Sequence, residues 1–148
     1  MSLLRFFKSL WPSAPSPSPS AYAVDPEQFI YVKIPGDMGP VDRGEMFEDR
    51  IDTALAAKSL GSVSGGGSSL GDARADGSRP IVFCGIDIDT HAREETRALL
   101  RTLLPTLDAP AGTELHYTKN GRKLQDTFTH KGWALEQRRV FLHPGFGV

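Results

Sequence analysis

The chain has 148 residues and a net charge of −1, with apolar and charged fractions of 39% and 24% that are ordinary for a globular protein. A charge so close to zero creates no general attraction to nucleic acid, so a general DNA- or RNA-binding function is not expected. The single cysteine, Cys84, excludes an intramolecular disulfide and a cysteine-rich zinc site. No apolar run approaches a membrane span and no secretory signal is recognisable, so a cytoplasmic protein is expected.

The N-terminal part of the chain differs in composition from the rest. Residues 1–11 place leucine, phenylalanine and tryptophan among Arg5 and Lys8, as in a short amphipathic helix that contacts a membrane weakly or docks on a partner. A frayed end, or one that packs back on its own domain, explains the same pattern. Residues 12–26 are rich in proline and serine, which predicts a disordered linker.

One α+β domain is predicted over residues 27–128, and it begins with a strand and a helix. The run from Gln28 to Pro35 is rich in β-branched and aromatic residues, which predicts strand one, and Pro35 ends it. Asp42 is the expected N-cap of the first helix, and Gly61 stands where its left-handed C-terminal residue is expected.

A glycine-rich stretch and a further strand pattern follow the helix. Residues 62–71 lack the Gly-Lys-Ser/Thr ending of a phosphate-binding loop, so they are interpreted as strand two, with bulges or a close approach of another backbone. Residues 81–89 predict strand three, with Cys84 and Ile88 on its buried face and Phe83 on the other.

The second half of the domain repeats the helix–strand order. Thr90 is the expected cap of the second helix, which Pro105 should kink or end because proline has no amide donor. Residues 113–119 predict strand four, and the Asn-Gly pair at 120–121 is typical of a hairpin turn that leads to a short fifth strand. Residues 129–148 form a tail that either packs on the domain or is mobile.

This order of elements predicts a ferredoxin-like βαββαβ sandwich. Two helices cover one face of an antiparallel sheet with strand order 4-1-3-2, to which the C-terminal hairpin can add a strand. The period of two residues along each strand predicts the side chains on the uncovered face. That face displays an aromatic and acidic set, which is the predicted partner-binding site: Tyr31, Lys33, Phe83, Asp87, Asp89, Glu114 and His116.

The composition of this set favours binding over chemistry. Nucleic-acid recognition on such a sheet pairs aromatic with basic residues, and in this set Lys33 is the basic one. Asp87, Glu114 and His116 have the right chemistry for a metal, but strand one separates strands three and four by ~9–10 Å. No metal, cofactor or catalytic residue is therefore assigned, while an acid–base pair of His116 with a nearby carboxylate stays open.

Three segments between residues 60 and 119 consist of glycines, strand residues and a turn. They are Leu60-Gly-Ser-Val-Ser-Gly-Gly-Gly-Ser-Ser-Leu70, Phe83-Cys-Gly-Ile-Asp-Ile-Asp89 and Ala109-Pro-Ala-Gly-Thr-Glu-Leu-His-Tyr117. These segments resemble small bacterial proteins of unassigned activity, which we associate with the immunity partners of interbacterial toxins. The resemblance implies a family type and no catalytic residues.

The leading hypothesis is a non-enzymatic protein-binding module, an immunity protein that neutralises a bacterial toxin by occupying its basic active cleft. Two alternatives remain open. One is a small hydrolase or metal-dependent enzyme that uses Asp87, Glu114 and His116. The other is a membrane-tethered adaptor that acts through residues 1–11.

Overall fold

The computed structural model describes residues 25–147. The predicted amphipathic segment at 1–11 and most of the predicted linker at 12–26 lie outside the described residues. The first described element is a short 3-10 turn, Pro26–Gln28. Within the described range, no helix is long and apolar enough to cross a membrane.

Strands and helices follow in an α+β order. The strands are, in chain order, β1 (Phe29–Pro35), β2 (Gly61–Leu70), β3 (Ile81–Thr90), β4 (Glu114–Lys119), β5 (Arg122–Thr129) and β6 (Gly132–Arg138). Helix α1 consists of three consecutive stretches, Pro40–Arg43, the π-helical Gly44–Glu48 and Asp49–Ala57, and helix α2 is Arg93–Thr106. A second 3-10 turn, Pro144–Phe146, lies near the end of the described chain.

The strands form one antiparallel sheet in the order β2-β3-β1-β4-β5-β6. The predicted α+β class is confirmed, and the first four strands are neighbours in the predicted order, with β1 between β3 and β4. The predicted hairpin strand is present as β5, which pairs with β4. No sequence pattern predicts β6, and with six strands the sheet is wider than the four-stranded unit expected from the sequence.

The core lies between the helices and one face of the sheet, as the alternation along the strands predicts. The strands contribute Ile30, Val32 and Ile34 from β1, Cys84, Ile86 and Ile88 from β3, and Leu115 and Tyr117 from β4. The helices cover them with Phe47, Ile51 and Leu55 from α1, and Leu100 and Leu104 from α2. Each fully buried aliphatic side chain contributes about 1.5–3 kcal/mol, so this layer holds both helices on the sheet.

Helix α1 begins and ends at residues other than those predicted from the sequence. It begins at Pro40 rather than after Asp42, because proline at the first helical position already has the helical φ and needs no amide partner. Gly61 does not end the helix. It is the first residue of β2, with φ 156°, and the left-handed residue after the helix is Ser59.

The prediction that Thr90 is the N-cap of helix α2 is wrong, because the N-cap residue is Ala92, which makes no side-chain capping hydrogen bond. Thr90 is the last residue of β3, and its hydroxyl oxygen accepts a hydrogen bond from the Ala92 amide at 3.0 Å, just before the helix begins at Arg93. Pro105 lies in the last turn, and the helix ends at Thr106. The predicted effect of the proline is therefore confirmed as a helix end.

A buried carboxylate ties α2 to the C-terminal half of the sheet. Asp126 of β5 is fully buried and accepts hydrogen bonds from Arg97 at 2.8 Å and Arg101 at 3.1 Å. It also accepts the Tyr117 hydroxyl at 2.7 Å and the Glu136 amide of β6 at 3.0 Å. A buried carboxylate is stable only when its oxygens are satisfied, so this network fixes α2, β4, β5 and β6 to one another.

Residues 139–147, called here the C-terminal segment, leave β6 and lie on the face of the sheet opposite the helices. Phe146 packs edge-on against Phe29 with 4.9 Å between the ring centroids. Phe141 stacks on Tyr31 with a centroid separation of 5.6 Å and an angle of 3° between the rings. The tail therefore packs on the domain and covers part of the second face.

Candidate functional site

The residues predicted for the second face lie there, but the C-terminal segment covers some of them. Tyr31 lies opposite Asp87 on one neighbouring strand and opposite His116 on the other. Lys33 lies opposite Glu114. Of the predicted set, Tyr31 and His116 are buried, Lys33, Phe83, Asp87 and Glu114 are half-buried, and Asp89 is exposed.

Tyr31 is the centre of an aromatic cluster beneath the C-terminal segment. Its ring centroid lies 4.4 Å from that of His143 and 5.6 Å from that of His116. Burial, together with the nearby charge of Asp87, raises the pKa of Tyr31 to about 12. The phenol is therefore neutral near pH 7, and in this structure it contacts the C-terminal segment instead of a partner.

Glu114, His116 and Lys33 form one polar group on this face. His116 Nε2 lies 2.7 Å from Glu114 Oε2, and Lys33 Nζ lies 3.8 Å from the same oxygen. The hydrogen bond from His116 lowers the pKa of Glu114, so the carboxylate is ionised and Nε2–H is the donor. Burial lowers the pKa of His116, which leaves a neutral ring whose buried Nδ1 has no hydrogen-bond partner.

Asp87 and His143 form a second, separate pair. His143 Nε2 lies 3.2 Å from Asp87 Oδ1, and His143 Nδ1 accepts a hydrogen bond from the Gly145 amide at 2.9 Å. Because Nδ1 is the acceptor, Nε2 carries the proton and donates to the carboxylate. Both ring nitrogens are used, so His143 has no free nitrogen with which to accept a proton from a substrate.

The Glu114–His116 pair and the Asp87–His143 pair both bear on the hypothesis that the protein is an enzyme. Tyr31 stands between them in the sheet, so Asp87 is not grouped with Glu114 and His116. Among residues 25–147, no group of three or more His, Cys, Asp or Glu side chains is placed to hold a metal ion. His116 has a free lone pair but is fully buried, so a substrate cannot reach it. The geometry favours structural roles for both histidines.

Phe83 and Lys33 extend the aromatic cluster toward the first half of the sheet. The Lys33 ammonium lies 4.6 Å from the centroid of the Phe83 ring and 5.1 Å from that of Phe141. Lys33 therefore neutralises Glu114, while Asp87 is paired with His143. A cation over an aromatic face adds about 0.5–1 kcal/mol at an exposed site.

Beside this cluster lies a depression of about 300 Å³, called here the glycine pocket. Its lining consists of Tyr31, Gly66, Gly67, Ser68, Ser69, Phe83, Asp87 and His143. Three predicted residues, Tyr31, Phe83 and Asp87, thus meet in one concave site. Asp89 lies apart, in a depression with Asp25 and His91.

The fold requires glycine at some positions near the pocket and not at others. A side chain at Gly85 would collide with the ring of Tyr31, and one at Gly66 would collide with Glu48 from α1. At Gly67 the backbone has no left-handed φ, and no atom lies within 4 Å of the position that a Cβ would take. The fold therefore does not require glycine at 67, although glycine costs a strand roughly 0.5–1 kcal/mol relative to alanine.

Strand β2, which carries Gly67, is an edge of the sheet. Hydrogen bonds alternate along an antiparallel pair, so every second residue of β2 turns its amide and carbonyl away from β3. Register shifts between Val63 and Gly65 and between Ser69 and Leu70 bound a regular stretch, 65–69. The ten residues of β2 include no charge and no proline, which natural edge strands commonly use to prevent pairing. Two charged side chains of α1 reach this edge instead: Arg43 Nη1 donates a hydrogen bond to the Gly67 carbonyl at 3.0 Å, and Asp52 accepts one from the Val63 amide at 2.9 Å.

A comparison with known protein families, curated proteins and solved structures finds no match for this chain. The site is therefore defined by its own geometry. Sequence reasoning missed Phe141, His143 and Gly67. The Pro144-Gly145 pair beside an aromatic residue is the signal in the tail that predicts a turn there, but it does not indicate which face the turn contacts.

Proposed function

We propose that the protein is a non-enzymatic protein-binding module, which pairs with an extended segment of its partner along the free edge of β2. The observation that carries this proposal is Gly67, a strand glycine that the fold does not require, in the lining of a pocket beside the edge of the sheet. Glycine within a strand often marks a place where another backbone or a ligand approaches closely. Strand addition of this kind is a common mode of peptide recognition.

The regular stretch 65–69 provides the backbone contacts for such a segment, and the Gly67 carbonyl would exchange its hydrogen bond from Arg43 for one from the partner. Each hydrogen bond contributes about 0.5–1.5 kcal/mol net, so main-chain pairing supplies affinity with little sequence selectivity. Alternate side chains of an added strand point to the same face of the sheet. One of them would therefore stand beside Gly67, at the margin of the glycine pocket.

The chemistry of the pocket favours a cationic side chain from the partner. Tyr31 and Phe83 supply aromatic faces and Asp87 supplies a carboxylate, of which Oδ1 is paired with His143. Lysine and arginine combine attraction to an aromatic face with attraction to a carboxylate. This chemistry agrees with the partner expected from the sequence, which presents a basic surface.

Within this proposal, the sequence resemblance favours the role of an immunity protein that binds a bacterial toxin. We further assign the fold to a ferredoxin-like βαββαβ unit, β1 to β4 with α1 and α2, extended by the hairpin that adds β5 and β6. The order β2-β3-β1-β4 and the antiparallel pairing support this assignment. The free edge used for binding is then one end of that unit.

Selection from a library of random peptides tests the binding mode. The wild-type protein should enrich peptides in which β-branched residues alternate with lysine or arginine, and these peptides should protect amides of residues 65–69 from hydrogen exchange. Gly67→Val fills the pocket and should abolish the enrichment. Gly39→Ser, at a loop glycine with no atom within 4 Å of a Cβ, is the matched control and should keep it. Equal enrichment by both variants would show that the pocket is not the binding site.

The immunity role has its own test. A protein captured from the native cell by the wild type, and not by Gly67→Val, is expressed in bacteria together with either form. We expect growth to be restored by the wild type alone. A captured partner that does not impair growth would reject the immunity role and leave the binding mode intact.

A further inference from the structure

We propose a second binding site, for a phosphate group, at the end of the sheet opposite the glycine pocket. A depression of about 350 Å³ lies where the ends of β5 and β6 meet the beginning of the C-terminal segment. Its lining consists of Arg122, Lys123, Leu124, Glu136, Arg138 and Arg139. Two pairs of consecutive basic residues, one at the start of β5 and one at the end of β6, thus surround a single concavity.

The register of the hairpin brings these pairs together. Arg122 and Lys123 directly follow the turn between β4 and β5. Leu124 pairs with Arg138, and the Arg139 amide donates a hydrogen bond to the Lys123 carbonyl at 3.0 Å. The two basic pairs are therefore held at the same end of adjacent strands by backbone contacts.

The positive charge of this depression is not neutralised by the residues that line it. The carboxylate of Glu136 is paired with Lys119 at 2.8 Å. Among residues 25–147, no carboxylate lies within salt-bridge distance of the other four basic side chains: Arg122, Lys123, Arg138 and Arg139. The whole chain carries a net charge of −1, so this cluster is a local positive centre on a weakly acidic protein. Such a concave cluster concentrates anions.

Arg139 is the strongest indication that an anion belongs here. Its side chain is 3% exposed, and its guanidinium lies 3.8 Å from the centroid of the Phe146 ring. It donates hydrogen bonds only to neutral groups, the Phe141 carbonyl at 3.2 Å and the Thr118 hydroxyl at 3.3 Å, and its Nε has no partner. A buried charge without a counter-charge is costly, so a bound anion nearby would offset that cost.

Phosphate fits this site better than a carboxylate does. Three of the four unpaired cations are arginines, whose planar fork matches the oxygens of phosphate in a bidentate arrangement. A phosphate monoester carries about −1.5 to −2 charges near pH 7. One phosphate group can therefore neutralise more than one cation, whereas a carboxylate carries a single negative charge.

Nuclear magnetic resonance tests the site with inorganic phosphate as the probe. The full chain is titrated at constant ionic strength, with chloride as the reference anion. We expect amide shifts at 122–124 and 136–139 that saturate with phosphate and are absent with chloride. The double variant Lys123→Gln/Arg138→Gln removes two exposed cations and should weaken binding about tenfold. The control Arg50→Gln/Lys58→Gln makes the same charge change on α1 and at its C-cap, and should bind as the wild type does.

A phosphate group can also be carried by a lipid, so a second arm uses vesicles that contain phosphatidic acid. Sedimentation that is lost in Lys123→Gln/Arg138→Gln and kept in the control assigns a lipid phosphate to this site. Binding of inorganic phosphate alone assigns a free phosphate. If neither probe distinguishes the two double variants, the proposal is wrong. These outcomes are independent of the glycine pocket, because the substituted residues lie at the other end of the sheet.

Discussion

The hydrogen bonds that Asp126 accepts identify it as a structural residue. Its oxygens accept two arginines, a tyrosine hydroxyl and a backbone amide, from three different elements. Sequence patterns place it within a short strand and give no reason to single it out. A buried ion network depends on residues far apart in the chain, so its members cannot be found from local spacing.

Replacing Asp126 should therefore destabilise the protein strongly. Asp126→Ala leaves the buried Arg97 guanidinium without its counter-charge, and removing one partner of a buried pair costs about 3–5 kcal/mol. The free energy of unfolding in urea measures the loss. Glu45→Ala removes an exposed carboxylate from α1 and should change stability by less than about 0.5 kcal/mol. Similar values for the two variants would mean that the network contributes little.

His116 gives a pH dependence whose sign follows from its burial. Burial lowers its pKa below the ordinary value of 6.5 in the folded protein, so the unfolded chain takes up the proton first as the pH falls. The stabilising contribution is complete above the unfolded-state pKa and is lost as the pH falls through the folded-state pKa. His116→Gln removes this proton uptake, so its unfolding free energy should change less between about pH 7 and about pH 5.

The control for this experiment is His130→Gln, at an exposed histidine. It should retain the wild-type decrease in stability on acidification. If His116→Gln loses stability with falling pH as steeply as the wild type, proton uptake at His116 does not determine the acid response. The carboxylate of Glu114 also has a lowered pKa, but its contribution begins to be lost only below its ordinary value of 4.5, under the pH range compared here.

At the scale of elements, both helices and the strands β1 to β5 could be predicted, most clearly the strands with a strong period of two, and β6 could not. β1, β3 and β4 are central and half-apolar, and their faces follow directly from alternation. β6 has an exposed leucine, a left-handed Glu136 and a register shift opposite it, so its local pattern is weak. It is held by distant contacts, such as the hydrogen bond from the Trp133 indole to the Arg101 carbonyl at 3.0 Å.

Two glycines in neighbouring strands give a matched test of how β2 and β3 are built. Gly67→Ala meets no atom within 4 Å and should leave stability unchanged or raise it by about 0.5–1 kcal/mol. Gly85→Ala forces a methyl group against the Tyr31 ring and should cost about 1–3 kcal/mol. Thermal unfolding of both variants measures the difference. A loss of stability in Gly67→Ala would mean that the fold itself requires that glycine.

For the whole molecule, the pattern of strands predicts the order of β1 to β4 and which side chains leave the core. It does not predict that residues 139–147 cover the second face, because a segment without periodicity carries no register. This is why Tyr31 and His116 are buried instead of presented to solvent. The charges also separate along the sheet, with Asp87 and Asp89 near one edge and the unpaired arginines near the other.

This separation predicts how the proposed binding depends on salt. Asp89 is exposed on β3, where it pairs with Ser62 of the edge strand β2, so Asp89→Lys should slow association of a selected basic peptide several-fold at low salt. The effect should shrink as salt screens the charges. Glu45→Lys makes the same charge change on α1 and serves as the control in stopped-flow measurements. Equal association rates for the two variants would reject electrostatic steering toward the β2 edge.

The central position of β1 has a consequence for synthesis of the chain. β1 is the first strand to be made, yet both of its partners, β3 and β4, come later, so it cannot be paired until the ribosome has produced them. Its aromatic side stays uncovered longer still, until residues 139–147 have followed. An incomplete chain therefore exposes Phe29 and Tyr31, and we expect a nascent-chain chaperone to bind the surface that the finished protein reserves for its own C-terminal segment.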